Sequence, residues 1–135
     1  MSLLIKQVLL EDQITDILIE GKYIKRIAPH IDPPEGAEIL SGRDKAAIPG
    51  FINTHTHAMT LFRGYGDDLP LMEWLQDYIW PVEAKMTEHD VYVGAKLACL
   101  EMLRSGTTCF LDMYMYPMET ARAVEELGLR AHLSY

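Results

Sequence analysis

Two histidines separated by one residue are the part of this sequence with the clearest chemical potential. His55 and His57 follow an apolar stretch that opens with Pro49-Gly50. In an extended strand, residues i and i+2 point to the same face, about 6.6 Å apart along the strand axis. Two imidazoles placed in this way can bind one metal ion, and neutral imidazole suits Zn²⁺, Fe and related ions.

Two histidines do not complete a catalytic metal site. Catalytic zinc normally has three protein ligands and a water molecule. A bare His-x-His pair is equally compatible with two solvated or hydrogen-bonded side chains at the end of a strand. The loop that follows, with Gly64 and Gly66, favours the metal interpretation, because active sites of α/β barrels lie at the C-terminal ends of the strands.

The elements that must position these histidines alternate between strand and helix. After residue 46 the order is strand, helix, helix, strand, helix, strand, which is typical of parallel βαβ units. The first strand is expected to be buried at Phe51 and Ile52. The later elements are predicted at 70–80 (helix, capped by Asp68 and ended by Trp80-Pro81), 87–105 (helix), 107–113 (strand), 117–127 (helix) and 129–135 (strand).

The helix that begins at Thr87 has the strongest local signals. Asp90 stands three residues later, which gives a weak capping box, and Gly106 ends the helix. An apolar stripe recurs at helical spacing through Val91, Ala95, Ala98 and Met102.

Three strands cannot close an eight-stranded barrel, which usually needs at least about 200 residues. The sequence therefore predicts an α/β fold that is the N-terminal part of a (β/α)₈ TIM barrel, with about its first three strands. A small three-stranded α/β domain is the alternative. Residues 1–48 have a different character, because short β-type runs and a tight turn at Gly21 predict a small antiparallel sheet. Two portions, 1–48 and 49–135, are therefore expected.

Composition excludes several classes of partner. The 135 residues carry 12 Lys and Arg against 20 Asp and Glu, a formal net charge of −8. Such an acidic chain without a basic cluster is a poor candidate for binding nucleic acid. No apolar run is long enough for a membrane helix, and the N-terminus does not resemble a signal peptide. Cys99 and Cys109 are expected to be buried thiols, so a cytoplasmic protein is expected.

Several segments resemble one known family. Pro49–His57 resembles the strand-1 signature of the metal-dependent amidohydrolase superfamily, and the leading region resembles that family's N-terminal β-sandwich half. Leu61–Leu75 and Tyr78–Lys85 are similar to the nucleoside-deaminase branch, which acts on 5′-methylthioadenosine, S-adenosylhomocysteine and 5′-deoxyadenosine. Ser105–Tyr114 resembles the second barrel strand of that branch.

The resemblance implies roles for three residues, His55, His57 and Glu83. His55 and His57 become ligands of one divalent metal, with Zn²⁺ favoured over Fe²⁺, and Glu83 matches the glutamate that accepts hydrogen bonds from ribose hydroxyls. Spacing alone favours a solvated charge near a helix N-terminus for Glu83, and the resemblance reverses that interpretation. Trp80 is expected in the substrate-binding wall, whereas Trp74 is expected in the core together with Leu75.

The resemblance also implies what the 135 residues lack. The family completes its site with a histidine from a middle strand, a nearby glutamate, a further histidine and a late aspartate, and none is matched here. The implied reaction is deamination of an adenosine-type nucleoside by water attack at C6 with release of ammonia. No catalytic residue is assigned within the chain, which is expected to be inactive alone. Some relatives carry a substrate-binding arginine where Tyr135 stands.

Other readings remain open. Other amidohydrolase activities (cytosine or guanine deaminase, chlorohydrolase or cyclic amidase) share the His-x-His signature. The alternative of another class is a non-catalytic fragment or interaction module that docks to a complementary half. The resemblance implies a small-molecule nucleoside substrate and a homo-oligomer in the full-length form. Among the remaining residues, Asp112 could support a metal-binding histidine, and Tyr114 or Tyr116 could line the site.

Overall fold

The computed structural model describes residues 2–58 and 61–134. The chain divides into two compact units, Met1–Pro49 and Gly50–Tyr135. Among the described residues, no helix combines the length and the apolar character that crossing a lipid bilayer requires.

The N-terminal unit is one five-stranded sheet. Its strands are β1 (Ser2–Leu10), β2 (Gln13–Glu20), β3 (Tyr23–Ala28), β4 (Glu38–Ser41) and β5 (Ala46–Ala47). The order is β3-β2-β1-β4, and β5 also pairs with β1. The β1–β2 and β2–β3 pairs are antiparallel, but β4 and β5 run parallel to β1. The prediction of a purely antiparallel sheet is therefore wrong, because a long connection after β3 returns the chain to the far side of β1 instead of forming another hairpin.

A buried carboxylate organises this sheet. Lys6 and Gln7 of β1 lie opposite Asp16 of β2 as a β-bulge, with Gln7 at φ 60°. Asp16 accepts hydrogen bonds from the backbone N–H of Gln7 (2.8 Å) and of Ile31 (2.9 Å), and the Lys6 ammonium lies 2.7 Å from its Oδ2. Burial alone would raise the pKa of Asp16, but Lys6 and the two N–H donors lower it overall. Asp16 thereby joins the bulge to the loop after β3.

The C-terminal unit has a parallel sheet covered by helices. Its elements are β6 (Phe51–Thr56), α1 (Leu71–Glu73), a π-helical segment (Trp74–Ile79), α2 (Trp80–Glu83), α3 (Glu88–Arg104), β7 (Thr107–Met113), α4 (Pro117–Leu127) and β8 (Arg130–Ser134). The strands pair in the order β6-β7-β8, all parallel. The predicted βαβ arrangement is confirmed, and Tyr135 of the predicted last strand lies outside the described residues.

The core of this unit lies between the sheet and the helices α3 and α4. Phe110 of β7 is 1% exposed and packs with a cluster from both helices. The capping box at Thr87 and Asp90 is present, and the predicted stripe of α3 is buried. Gly128 ends α4 at φ 76°, a conformation that suits glycine. On the opposite face of the sheet Leu111 and Met113 are exposed, 40% and 52%. One face of the sheet is thus packed, and the other is open to solvent.

Three local predictions are wrong. Trp80-Pro81 does not end the helix, because the π-helical segment ends there and Pro81 falls in the first turn of α2, where its missing N–H is tolerated. Asp68 is not a cap, since the N-cap position is Pro70 and no side chain caps it. Phe51 and Ile52 point to opposite faces of the sheet and are 56% and 68% exposed, because β6 lies at the edge of the sheet and has a neighbouring strand, β7, on one side.

Candidate functional site

The two histidines lie at the C-terminal end of β6. Their ring centroids are 5.2 Å apart with an interplanar angle of 78°. The Nδ1 atom of His57 is 2.9 Å from the carbonyl oxygen of Met113, at the end of the neighbouring strand β7. When Nδ1–H donates this hydrogen bond, Nε2 keeps its lone pair free. A backbone carbonyl that orients an imidazole in this way is a common support for a metal-binding histidine.

The donor set fits a metal ion in type but not in number. Two adjacent imidazoles suit Zn²⁺ or Fe²⁺, and one of them is already oriented by a backbone acceptor. However, no group of three His, Cys, Asp or Glu side chains comes together in ranges 2–58 and 61–134. His55 and His57 can therefore supply two ligands, and the described part of the chain supplies no third.

A cavity of about 460 Å³ opens beside His57. A second lobe of about 320 Å³ shares its central residues. The first lobe is lined by His57, Trp74, Leu75, Ile79, Trp80, Glu83, Met113, Tyr114 and Met115. The second lobe adds Phe62, Arg63, Gly64 and Asp67. Largely apolar walls with a few polar groups are typical of a site for a small organic molecule.

The structure brings Glu83 and His57 to the same cavity, although they come from different elements. Glu83 is the last residue of α2, and His57 directly follows β6. The Tyr114 hydroxyl donates a hydrogen bond to Oε1 of Glu83, and the Tyr114 ring lies 5.5 Å from the His57 ring. Burial raises the pKa of Tyr114, and the hydrogen bond to the Glu83 carboxylate raises it further, so the hydroxyl stays protonated. Spacing could not reveal this contact, because it joins residues 31 positions apart.

The aromatic wall differs in part from the prediction. Trp80 lines the first lobe and is 47% exposed. Trp74 and Leu75 were expected in the core, but both are half-buried and line the cavity, while Ile79 is the buried residue of this segment at 5% exposure. The wider π-helical turn changes which residues share a face, so α-helical periodicity misassigns them. The Trp74 Nε1–H donates to the carbonyl oxygen of Tyr65 (2.7 Å), which fixes the loop beside the cavity.

Asp112 is buried close to the histidines but does not bond to either. Its Oδ1 accepts the backbone N–H of Ala58 at 3.0 Å, and its exposure is 2%. Burial raises the pKa of Asp112, and the N–H donors and the nearby His57 offset this only partly. The hydrogen-bond partner of His57 is thus the Met113 carbonyl, and Asp112 instead fixes the backbone that follows the histidine.

The other three histidines and Tyr116 line neither lobe of the cavity. His30, His89 and His132 are exposed, and Tyr116 is the N-cap residue of α4 with 38% exposure. Both cysteines are free; Cys99 is buried as expected, and burial raises the pKa of its thiol to about 11. Cys109 is only half-buried. Tyr135, which stands where some relatives carry arginine, lies outside the described residues.

Comparison with known proteins identifies the family of this chain. The Amidohydrolase family matches residues 46–135. The chain is 57% identical over 135 residues to 5′-deoxyadenosine deaminase of Methanocaldococcus jannaschii. The alignment covers 98% of this chain and 32% of the relative. It is 54% identical over 122 residues to 5-methylthioadenosine/S-adenosylhomocysteine deaminase of Carboxydothermus hydrogenoformans, with coverage of 88% and 28%.

Solved structures agree in fold. An adenosine deaminase from Xanthomonas campestris with bound zinc superposes with a TM-score of 0.83 at 37% identity, over 96% of this chain and 32% of that chain. Atrazine chlorohydrolase from Arthrobacter aurescens, complexed with zinc, gives a TM-score of 0.80 over 98% of this chain and 35% of that chain, but at 22% identity it shows the fold alone.

The chain spans about one-third of the length of the curated relatives it matches. The family match covers the strands β6, β7 and β8 and the helices between them, which include the two histidines and Glu83. The chain therefore belongs to the amidohydrolase family, and its three parallel strands form part of that family's α/β barrel.

Proposed function

We propose that this chain forms part of a metal-dependent hydrolase that deaminates an adenosine-type nucleoside. The observation that carries the proposal is the shared cavity, in which His57, next to His55, and Glu83 face one space of about 460 Å³. Relatives at 54–57% identity named as deaminases of 5′-deoxyadenosine or of 5-methylthioadenosine and S-adenosylhomocysteine support the substrate class. The overall reaction would replace the C6 amino group by oxygen from water and release ammonia.

His55 and His57 would hold one divalent ion, zinc in preference to iron, as part of a larger ligand set. When bound, such an ion lowers the pKa of water toward neutrality. The chain's own contribution is to keep the His57 imidazole oriented through the Met113 carbonyl and to keep its Nε2 free. The zinc bound in the Xanthomonas campestris enzyme supports this choice of metal.

Glu83 would bind the ribose of the substrate. A carboxylate can accept hydrogen bonds from two vicinal hydroxyl groups, and a site built to do so rejects analogues that lack them. Trp80 would form the apolar wall beside the nucleoside, since its half-exposed ring lines the same lobe as Glu83. The 135-residue chain by itself would be inactive, because its described residues bring together two metal ligands and no third.

Metal binding by the 135-residue chain is the first test. Isothermal titration calorimetry with Zn²⁺ should detect one site, and His55→Ala or His57→Ala should each weaken it at least about tenfold, since even supporting groups of metal ligands contribute that much. His89→Ala is the matched control, because His89 is exposed at the start of α3. Equal affinity in all four proteins would remove the histidines from the metal site.

Activity requires a complete barrel. A chimera that joins residues 1–135 to the remaining part of the Methanocaldococcus jannaschii relative should release ammonia from 5′-deoxyadenosine. In that chimera Glu83→Gln should lower kcat/KM about tenfold to a hundredfold, because a charged acceptor is lost. Glu88→Gln, an exposed glutamate in the first turn of α3, should change kcat/KM less than about twofold.

Two outcomes would contradict the proposal. A chimera that deaminates cytosine or guanine but no adenosine derivative would assign another substrate class. Turnover by the 135-residue chain alone, above a blank with metal only, would show that the chain does not need further ligands. Light scattering on the chimera would test the homo-oligomer, which stays a prediction.

A further inference from the structure

We propose that Tyr114 is a positioning residue that holds the Glu83 carboxylate in one orientation and so makes the cavity selective for nucleosides with vicinal hydroxyl groups. This inference rests on the proposed function and names the residue on which its ribose selectivity depends.

The contact is specific in geometry. The Tyr114 hydroxyl donates to Oε1 of Glu83, and both side chains are half-buried and line both lobes of the cavity. Among the residues that the structure describes, Oε2 of Glu83 has no hydrogen-bond partner. One carboxylate oxygen is therefore engaged by the protein, and the other remains available to a ligand in the cavity.

Among the described residues, the hydrogen bond from Tyr114 is the one side-chain contact that fixes the orientation of the Glu83 carboxylate. Glu83 is the last residue of α2, a helix of four residues, and its side chain has three rotatable bonds. Tyr114 directly follows β7, whose paired strands on both sides make it a firm base. The hydrogen bond from Tyr114 restricts the rotamers of the Glu83 side chain before a ligand binds. Preorganisation of this kind strengthens binding, because less conformational entropy is lost on association.

The arrangement also explains how one carboxylate could accept from two hydroxyl groups. Oε2 is free, and Oε1 has a second lone pair after it accepts from Tyr114. Two adjacent hydroxyl groups of a ribose can then donate to the two oxygens in parallel. A nucleoside without these hydroxyl groups would leave Oε2 of Glu83 without a hydrogen bond and would bind less tightly. A Glu83 carboxylate that Tyr114 does not hold would discriminate less between the two kinds of nucleoside.

Tyrosine could instead matter only as a packed ring, since it lies 5.5 Å from the His57 ring. The two roles differ in which ligands they affect. Loss of packing would weaken every ligand of the cavity, whereas loss of the hydrogen bond to Glu83 would weaken only ligands that bind Glu83. Tyr114→Phe separates them, because it keeps the ring and removes the hydroxyl.

The test uses the 135-residue chain and its own fluorescence. The chain has two tryptophans, Trp74 and Trp80, and both line the cavity, so quenching reports binding directly. The ligands are 5′-deoxyadenosine and 2′,3′,5′-trideoxyadenosine, which differ only in the vicinal hydroxyl groups. Tyr116→Phe is the matched control, since Tyr116 is exposed and lines neither lobe. Circular dichroism verifies that each variant is folded.

We expect Tyr114→Phe to weaken 5′-deoxyadenosine about tenfold, the effect of one hydrogen bond to a charged group, and the trideoxy analogue less than about twofold. In a Glu83→Gln background the same change should add less than about twofold, because the two residues act as one unit. Tyr116→Phe should leave both affinities unchanged.

Two results would overturn the inference in different ways. Equal weakening of both ligands by Tyr114→Phe, or no weakening of either, would refute the positioning role and leave the proposed function standing. Absence of binding of either nucleoside to the unmodified chain would refute the positioning role, whereas the proposed function would be refuted separately, by a chimera that releases no ammonia from 5′-deoxyadenosine.

Discussion

The two units each bury one aspartate, and they treat its charge in opposite ways. Asp16 in the N-terminal unit is 1% exposed, and Asp112 in the C-terminal unit is 2% exposed. Asp16 has an ammonium group 2.7 Å away and two backbone N–H donors, and its pKa is lowered. Asp112 has backbone donors, chiefly the N–H of Ala58, and its pKa is raised by burial.

The Asp16 charge stabilises the folded protein, whereas the Asp112 charge destabilises it. The Asp16 carboxylate is more stable in the folded sheet than in water, so its ionisation contributes to folding. The Asp112 carboxylate is less stable when folded, so its ionisation costs folding free energy. A compensated buried acid such as Asp16 is typical of a structural ion pair, whereas Asp112 lines neither lobe of the cavity and directly precedes Met113, which lines the first lobe.

The largest expected effect on stability follows from removing the charge of Asp16. Asp16→Asn should lower the free energy of unfolding by about 2–3 kcal/mol, somewhat below the usual cost of breaking a buried pair because Lys6 is partly exposed. The amide also presents an N–H₂ group toward two backbone donors. Urea unfolding followed by far-ultraviolet circular dichroism measures this change. Asp12→Asn, in the exposed hairpin after β1, is the control and should cost less than about 0.5 kcal/mol.

Two glycines sharpen the comparison at the level of packing. A Cβ at Gly50 would lie 2.3 Å from Cγ2 and 2.4 Å from Oγ1 of Thr108, whereas a Cβ at Gly42 would lie 2.5 Å from Cβ and 2.9 Å from Cα of Val8. Gly42→Ala and Gly50→Ala should each destabilise the protein by about 2 kcal/mol through overpacking.

Only one of these clashes can be relieved by a second substitution. Thr108→Ala removes the two nearest atoms from Gly50→Ala, so the double variant should recover about half of the loss, and a double-mutant cycle in urea measures the coupling. Val8→Ala keeps the clashing Cβ and Cα atoms, so it should not rescue Gly42→Ala. Rescue at Gly42, or none at Gly50, would contradict the packing described here.

Much of the C-terminal unit could be predicted because its signals are local. The capping box at Thr87, the apolar stripe of α3 and the glycine after α4 each act within a few residues of chain. The i, i+2 spacing likewise anticipated that the rings of His55 and His57 lie close together. Alternation of strands and helices then indicates a parallel sheet with little further information.

The rest depends on contacts between distant parts of the chain. The parallel pairing of β4 and β5 with β1 follows from the path of a long connection, which leaves no local signal. The π-helical segment widens the turn before Pro81, so an α-helical period places Trp74 and Leu75 on the wrong face. The hydrogen bond between Tyr114 and Glu83 could not be predicted from the sequence, because it joins the end of β7 to the end of α2 and forms only when both have folded.

Lowering the pH should remove the contribution of the Asp16 charge to the free energy of unfolding. Its folded pKa is lowered, so its stabilisation is complete above the unfolded pKa of about 3.9 and is lost as the pH falls through the folded value. The destabilisation caused by Asp16→Asn should therefore be smaller at pH 3 than at pH 7. Urea titrations of both proteins at several pH values measure this difference, and a destabilisation independent of pH would assign the effect of the substitution to packing alone.

The smallest effect is expected at the other aspartate. Asp112→Asn keeps an oxygen that can accept the N–H of Ala58, and it removes a carboxylate whose folded pKa is raised. At pH 7 the free energy of unfolding should change by less than about 1 kcal/mol, with stabilisation as the expected direction, because replacing an uncompensated buried charge is favourable. The gain should begin to fall as the pH drops through the raised folded pKa, and it should vanish below the unfolded pKa of about 3.9, where the carboxyl group is neutral in both states. Tryptophan fluorescence in urea measures it, since Trp74 and Trp80 lie in the same unit as Asp112. A loss as large as that of Asp16→Asn would mean that both buried carboxylates are compensated, and the contrast between the two units would fail.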